Sequence, residues 1–311
     1  MEKKYYLGID LGGTNIKLGV IDQFGKIIAK LEAATPQGDY QKTLNLFVEL
    51  AGQTGISLDE LISVGIGVPG FVNVEDGSIA SLVNVGWENV QLKADMEKKF
   101  SLPVYVDNDA NLAALGEMWQ GAGKGVSNLV CVTIGTGVGS GVIINAQIHH
   151  GKNAMAGEIG HLPINPRSTY RCNCGKYGCL ETEVSATAMI NHVKKALEEG
   201  RESLLTRDLT AKEIFMAAEQ KDRLALEIID NAAHYLGLAL AQITTALAPD
   251  KIVIGGGVSK AQELLLQPIR RYFQEFSTFR LAEQTELVLA ELGNDAGIIG
   301  AGLLAKTGEE T

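Results

Sequence analysis

The chain reads as an α/β protein of two lobes built to one plan, and three observations predict it. Strand and helix patterns alternate along its 311 residues, and the alternation starts afresh near residue 128. A strand–glycine turn–strand pattern at residues 8–20 returns at 134–144, and a strand–glycine-rich turn–helix pattern at 64–70 returns at 252–257, which is a weak internal repeat. A single core of 311 residues stands at the upper limit of size, so two domains are expected. The 36 glycines form no low-complexity run and sit at strand ends, where backbone turns sharply or meets a ligand. Ligands of α/β folds gather at such ends, so a cleft shared by the lobes is expected. The boundaries are drawn at 1–112 plus 298–311 for a smaller lobe and 113–297 for a larger one.

The elements follow in order. Residues 5–10, 15–21 and 26–32 read as short strands joined by Leu-Gly-Gly-Thr and Asp-Gln-Phe-Gly turns. Residues 44–52 and 57–61 read as helical, and 64–68 as a strand stopped by Pro69-Gly70. Then come a helix over 90–100, a strand over 103–106 and a helix over 110–120, with Asp109 as its N-cap. Past residue 128, two strands (128–135 and 139–145) flank a Thr-Gly-Val-Gly turn. Helices are expected over 186–199, 211–220 and 223–247. The last carries Leu226, Ile229, Ala233, Leu236, Leu240 and Ile243 at helical spacing, which marks a central core helix, and Pro249 ends it. Residues 251–254 form a strand running into Gly255-Gly256-Gly257, 259–276 a helix, 286–290 a strand and 296–306 a closing helix.

Bulk properties narrow the partners. The net charge is −10, and no basic run is longer than a pair such as Lys194-Lys195, which disfavours nucleic acid and anionic membrane. With 46% hydrophobic and 21% charged residues the composition is that of an ordinary globular protein. The longest near-apolar stretch, residues 236–248, is short for a bilayer span and holds Gln242, Thr244 and Thr245. The start runs straight into a strand pattern, which reads as no signal peptide. Together with thiols gathered for a metal, this points to the cytoplasm.

The metal signal is the sharpest in the chain. His161, Cys172, Cys174 and Cys179 fall within nineteen positions as H-x10-C-x-C-G-x2-G-C, in a chain with four cysteines in all. Cys3His is a common closed zinc set, whereas Cys-x-Cys is a strained disulfide pair. A structural Zn²⁺ on loop 161–179 is expected; the competing reading is a group of buried free thiols beside a surface histidine. The loop is flanked by two carboxylates, Glu158 and Glu181, and a substrate is expected there.

Phosphate-binding elements are present without a P-loop, since no G-x4-G-K-[ST] occurs. Residues 65–70 match G-x-G-x-x-G formally, but Pro69 stands where amides should meet a pyrophosphate. Two hairpins serve better: Asp10-Leu-Gly12-Gly13-Thr14-Asn15-Ile-Lys17, and Gly135-Thr136-Gly137-Val-Gly-Ser-Gly141. Backbone N–H groups in such turns bind phosphate oxygens without basic side chains. Either turn taken alone also fits a bare glycine hairpin.

These residues together resemble the ROK family (repressors, open reading frames and sugar kinases). The likeness rests on Asp10-x-Gly-Gly-Thr, the Gly135-Thr-Gly-x-Gly hairpin, Glu158-Ile-Gly-His161 and Cys172-x-Cys-Gly-x2-Gly-Cys179-x-Glu181, and it covers nearly the whole chain. The resemblance implies a two-lobed actin-like ATPase (ribonuclease H-like) fold of duplicated βββαβαβα units. It implies ATP and Mg²⁺, phosphorylation of a hexose hydroxyl, and a homodimer or tetramer. By position it implies Asp109 as the catalytic base. Gly70, Asn84, Asn108, Glu158, His161 and Glu181 match sugar contacts, and His161 also a zinc ligand through its other ring nitrogen. Asp10, Gly12, Gly13, Thr14, Asn15 and Lys17, with Thr136 and Gly137, match the phosphate and Mg²⁺ region. Gly255, Gly256 and Gly257 match the adenosine region.

Residue types alone leave rivals in place. Asp109 fits a plain helix N-cap, and Asp107 is the fallback base. Glu158 fits a surface acid and Glu181 a helix cap. Trp87 fits packing better than sugar stacking, and His149, His150, His192 and His234 show no ligand spacing. Within the family, Glu158, His161 and Glu181 with a long zinc loop resemble the members that phosphorylate the 6-hydroxyl of D-glucose. Fructokinases and N-acetylhexosamine kinases share nearly all these residues, and pocket shape separates them. Polyphosphate is an open alternative to ATP. A sugar-responsive repressor carries a DNA-binding domain ahead of the first motif, which here begins at Asp10; a silent sugar-binding module would need no Asp109.

Overall fold

The computed structural model describes residues 4–309. The chain opens with β1 (Tyr5–Leu11), β2 (Asn15–Asp22) and β3 (Ile27–Ala34), followed by α1 (Tyr40–Gln53) and β4 (Leu61–Val68). A hairpin of β5 (Ser78–Leu82) and β6 (Trp87–Gln91) leads into α2 (Leu92–Phe100), β7 (Val104–Asn108) and α3 (Asp109–Gln120). Then come β8 (Leu129–Ile134), β9 (Val138–Ile144) and β10 (Gln147–Ile148), a long loop, and α4 (Glu181–Val184). Next are α5 (Ala186–Glu198), α6 (Ala211–Glu219), α7 (Arg223–Leu247), β11 (Lys251–Gly255), α8 (Glu263–Phe276) and α9 (Phe279–Gln284). β12 (Glu286–Leu289) and α10 (Ala296–Glu309) complete the chain.

The repeat seen in sequence is a repeat of sheets. One sheet has the order β3-β2-β1-β4-β7, the other β10-β9-β8-β11-β12. Each begins with consecutive antiparallel strands and then adds two strands in parallel, β4 and β7 in one, β11 and β12 in the other. Parallel pairing requires a crossover, and α1 with the following turn supplies the crossover from the β1–β3 meander to β4.

The chain divides into two compact units. The first comprises residues up to Ser127, Gly141–Gly157 and the chain from Glu291; the second comprises Asn128–Ser140 and Glu158–Ala290. These units break at 127, 140, 157 and 290, where the sequence reading drew 112 and 298; α3 and α10 pack together within the first unit. Glu117, 1% exposed, fixes this arrangement: its carboxylate accepts backbone N–H groups of Ala122, Glu291 and Leu292.

The first unit buries Leu7, Ile9, Leu18, Phe47, Ile66 and Trp87 in one cluster. Trp87 is 2% exposed and meets the Tyr40 ring edge-on, so it is a packing residue. In the second unit, α7 is a core helix that buries Ile229, Ala233, Leu236, Leu240 and Ile243 as the periodicity marks, whereas Leu226, also expected there, is 41% exposed. Among the described residues it is also the one helix long and apolar enough to cross a membrane, but 61% of its most apolar window is buried inside the structure. An αL residue, Ala248, caps it before Pro249.

Four readings need correction. Residues 57–61 hold only a 3-10 turn, Leu58–Glu60, with a Ser57/Glu60 capping box. The helix over 90–100 begins at Leu92, because residues 87–91 pair as β6 with β5, a hairpin hidden among short polar stretches. The helix over 259–276 is broken at Gln262, whose φ of 50° ends a 3-10 turn before α8 starts. Asp109 is the first residue of α3; the N-cap is Asn108, whose side chain accepts from the N–H of Ala110 and Asn111.

Candidate functional site

The candidate site residues fall on both units.

On the first unit the centre is the turn from β7 into α3. Asp107, 2% exposed, ends the buried part of β7. Its Oδ1 accepts from the N–H of Asn108 at 2.7 Å and from Asn111 Nδ2 at 2.9 Å; its Oδ2 meets His150 Nε2 at 2.6 Å. Burial opposes the charged imidazolium, but the hydrogen bond to Asp107, the larger effect, raises the His150 pKa above its usual value. Asn108 uses its side-chain oxygen as helix cap and its Nδ2 to donate to Gly70 O at 3.2 Å. Asp109 follows, half-buried, its Oδ1 accepting from Ala110 N–H at 2.8 Å. Asp107 is therefore committed to three partners.

The first glycine turn lies on the same unit. Gly12 N–H donates to Asn15 O at 2.9 Å, so that amide is used in closing the turn. Thr35 Oγ1 donates to Gly12 O and Gln37 Nε2 to Gly13 O, and Asn15 Nδ2 donates to Glu32. Thr14 is exposed. Asp10 lies 4.0 Å from Lys17, and burial raises its pKa against the lowering effect of that lysine. Asn84 is exposed in the β5–β6 connection, beside Gly13.

The second unit carries the other groups. In His161, Cys172, Cys174 and Cys179, the ligand atoms all lie within 4.8 Å of one another. Cys172 Sγ is 3.4 Å from His161 Nδ1, and Cys174 and Cys179 Sγ are 3.5 Å apart. Thiolates around a tetrahedral zinc stand about 3.7 Å apart, so this donor set fits the ion. Burial pushes the Cys172 thiol up and the Cys179 thiol up to about 12, while a backbone hydrogen bond from Lys176 holds Cys174 below its usual value. With Nδ1 turned to the thiols, His161 Nε2 is left 3.8 Å from Glu158 Oε2. Cys131, the fourth cysteine, lies buried in β8 outside the cluster.

Glu181 links this loop to the second glycine turn. Its Oε2 accepts from Val138 N–H at 2.9 Å, and a Cβ on Gly137 would fall 2.3 Å from the same oxygen, so a side chain there would displace the carboxylate from this position. Thr136 and Gly257 line a cavity of about 900 Å³, closed by Phe215 and Met216 of α6 and by Val258. This volume suits a drug-sized or nucleoside-sized ligand. Of the three expected glycines only Gly257 lines it; Gly255 is buried at the end of β11, and Gly256 packs on Ile134.

Sequence reasoning missed His150 and the wall of the cavity on α6. His150 lies 43 residues from Asp107, and neither its neighbours nor its spacing hold a signal of that contact. Phe215 and Met216 read as ordinary apolar helix positions.

The duplicated sheets and the site elements define a protein of the actin-like ATPase fold. The ROK family profile matches residues 6–308, and the chain belongs to that family. It is 45% identical to a glucokinase of Halalkalibacterium halodurans over 100% of this chain and 98% of that one. It is 31% identical to a xylose repressor of Caldicellulosiruptor bescii over 94% of this chain and 76% of that protein. A crystal structure of a Streptomyces griseus ROK glucokinase with glucose and AMPPNP superposes with a TM-score of 0.82, at 32% identity, covering 97% of this chain and 99% of that one.

Proposed function

We propose that the protein is a glucokinase, which transfers the γ-phosphoryl group of ATP to the 6-hydroxyl of D-glucose. The observation that carries this reading is the β7–α3 turn, where Asp107 is fully engaged, Asn108 is locked as a cap, and Asp109 is presented beside them as the carboxylate for an incoming hydroxyl. The 45% identity to a glucokinase along the whole chain supports the sugar.

In the proposed reaction the hydroxyl oxygen of the sugar attacks the γ-phosphorus and the bond from that phosphorus to the bridging oxygen breaks. ADP leaves with the bond's electrons, and Asp109 takes the hydroxyl proton. Transfer through a loose transition state depends on positioning and charge stabilisation, so an ordinary carboxylate serves as acceptor late in the step. Asn84, Asn108, Glu158, Glu181 and His161 Nε2 supply directional donors and acceptors for sugar hydroxyls. The cavity lined by Thr136, Phe215 and Gly257 suits adenosine. Mg²⁺, carried in with ATP, offsets phosphate charge, and Asp10 supplies a carboxylate for it. A structural Zn²⁺ is held by His161, Cys172, Cys174 and Cys179. A homodimer in the cytoplasm completes the reading.

The test is a coupled ADP-release assay with Mg-ATP and glucose, fructose, mannose, N-acetylglucosamine and N-acetylmannosamine. Glucose should be turned over far above the rest. Asp109→Asn should lower kcat by roughly 10²–10⁴-fold. A preference for another sugar overturns the name and keeps the mechanism; a folded, zinc-loaded protein inert towards every sugar overturns the kinase reading.

A further inference from the structure

His150 is absent from the roles above, yet its Nε2 lies 2.6 Å from Asp107 Oδ2 in the β7–α3 turn. We infer that His150 is a positioning residue for this turn: through Asp107 it holds Asn108 and Asp109 in place. The inference rests on the reading of Asp109 as the base.

The argument is one of accounting. Asp107 is 2% exposed, and a buried carboxylate must have its oxygens satisfied. Oδ1 is taken by Asn108 N–H and Asn111 Nδ2, which flank Asp109 on either side in sequence. Oδ2 is taken by His150. One carboxylate thus grips the turn before and after Asp109, and the histidine grips the carboxylate from behind. His150 is itself well placed to hold still. The N–H of His149 donates to Val142 O at 2.8 Å, and the N–H of Ala156 donates to His150 O at 3.0 Å. The backbone that carries the imidazole is therefore held on both sides of His150, in the segment that follows β10.

Removing the imidazole leaves Oδ2 buried with that partner gone, a state that costs free energy. The carboxylate then turns to find water, and Oδ1 loses its alignment with Asn108 and Asn111. A displacement on the order of 1 Å at a reacting group lowers rate by about 10²-fold. His150 itself touches neither sugar nor nucleotide in this reading; it acts through Asn108 and Asp109 on the sugar side, so its loss should appear in turnover of the sugar rather than in nucleotide binding.

The experiment compares wild type with His150→Ala, His150→Gln and Asp107→Asn, and with the His150→Ala/Asp107→Asn double variant. The readouts are kcat, KM for glucose, KM for ATP and thermal unfolding. His150→Ala should lose roughly 10–100-fold in kcat while fully folded at the assay temperature. Its KM for ATP should stay near wild type. His150→Gln restores an N–H donor of similar reach and should recover most of the loss. The double variant should be no slower than the worse single one, because both act through one contact. A His150→Ala enzyme with wild-type kcat, or a Gln variant as slow as the Ala variant, overturns the inference. Wild-type protein inert towards all sugars overturns instead the kinase reading on which it rests.

Discussion

At the scale of single residues, the β7–α3 turn shows how three adjacent polar side chains take three different tasks. Asp107, Asn108 and Asp109 are nearly alike in composition, and burial separates them. Asp107 faces inward and is consumed by hydrogen bonds, Asn108 caps the helix, and Asp109 is half-buried at its first position. The His150–Asp107 pair also predicts a dependence of stability on pH. The folded-state pKa of His150 is raised above its ordinary value, chiefly by the hydrogen bond to Asp107. Its stabilising contribution is therefore fully present below the unfolded histidine pKa of about 6.5 and is lost as pH rises through the folded value. Unfolding of wild type and His150→Gln should differ more at about pH 5.5 than at about pH 8.5, roughly one unit below and two units above that histidine value; a difference independent of pH would contradict the pairing.

Single elements show where glycine decides packing. In α10, a Cβ on Gly300 would fall 1.7 Å from Leu112 O in α3, and one on Gly116 of α3 would fall 2.1 Å from Ala296 O. Both partners are backbone, so neither can swing away. Gly300→Ala should lower stability by about 1–3 kcal/mol or more, measured by chemical unfolding. Gly52 is the contrasting case. It lies near the end of α1, exposed and with nothing within 4 Å of a built Cβ. Gly52→Ala should stabilise by about 0.5–1 kcal/mol, because alanine loses less freedom on entering a helix. If the two substitutions moved stability in the same direction, the packing description of α10 against α3 would be wrong.

At the scale of the whole molecule, the zinc loop is a long segment with little regular structure, and its cross-link has to come from elsewhere. Long loops without secondary structure are uncommon in compact domains unless something ties them. The proposed tie is a zinc on the His161/Cys3 set, and Glu181, at the end of the loop, bonds to the glycine turn at Val138. Metal analysis should find one zinc per chain. A chelator, or Cys179→Ser, should lower the unfolding temperature, while Cys131→Ser should leave zinc content unchanged. Full zinc content in Cys179→Ser would sink the assignment.

The same scale shows how much could be read before the fold was known. The strands, α5, α6, α7 and the duplication were legible because apolar periodicity and glycine turns are local signals. The clustering of His161, Cys172, Cys174 and Cys179 was legible because the four lie close in sequence. The β5–β6 hairpin was not, since strands of five half-exposed residues have no period to read. Asp109 was placed one position out, because Asn and Asp at adjacent positions cap helices equally well and only the hydrogen bonds of Asn108 settle which does.

By itself, then, the sequence determined what is carried by neighbours along the chain: the alternation of elements, their repetition, the glycine turns and the Cys3His set. The tertiary structure alone decided what depends on residues far apart: that His150 pairs with Asp107, that Glu181 braces Val138, that Phe215 and Met216 wall a cavity, and that the units break at 127 and 290. The physical reason is that periodicity and turn chemistry are properties of adjacent residues. Satisfying a buried carboxylate is a property of whichever side chain the fold brings within 3 Å, a hydrogen-bond reach that spacing does not encode.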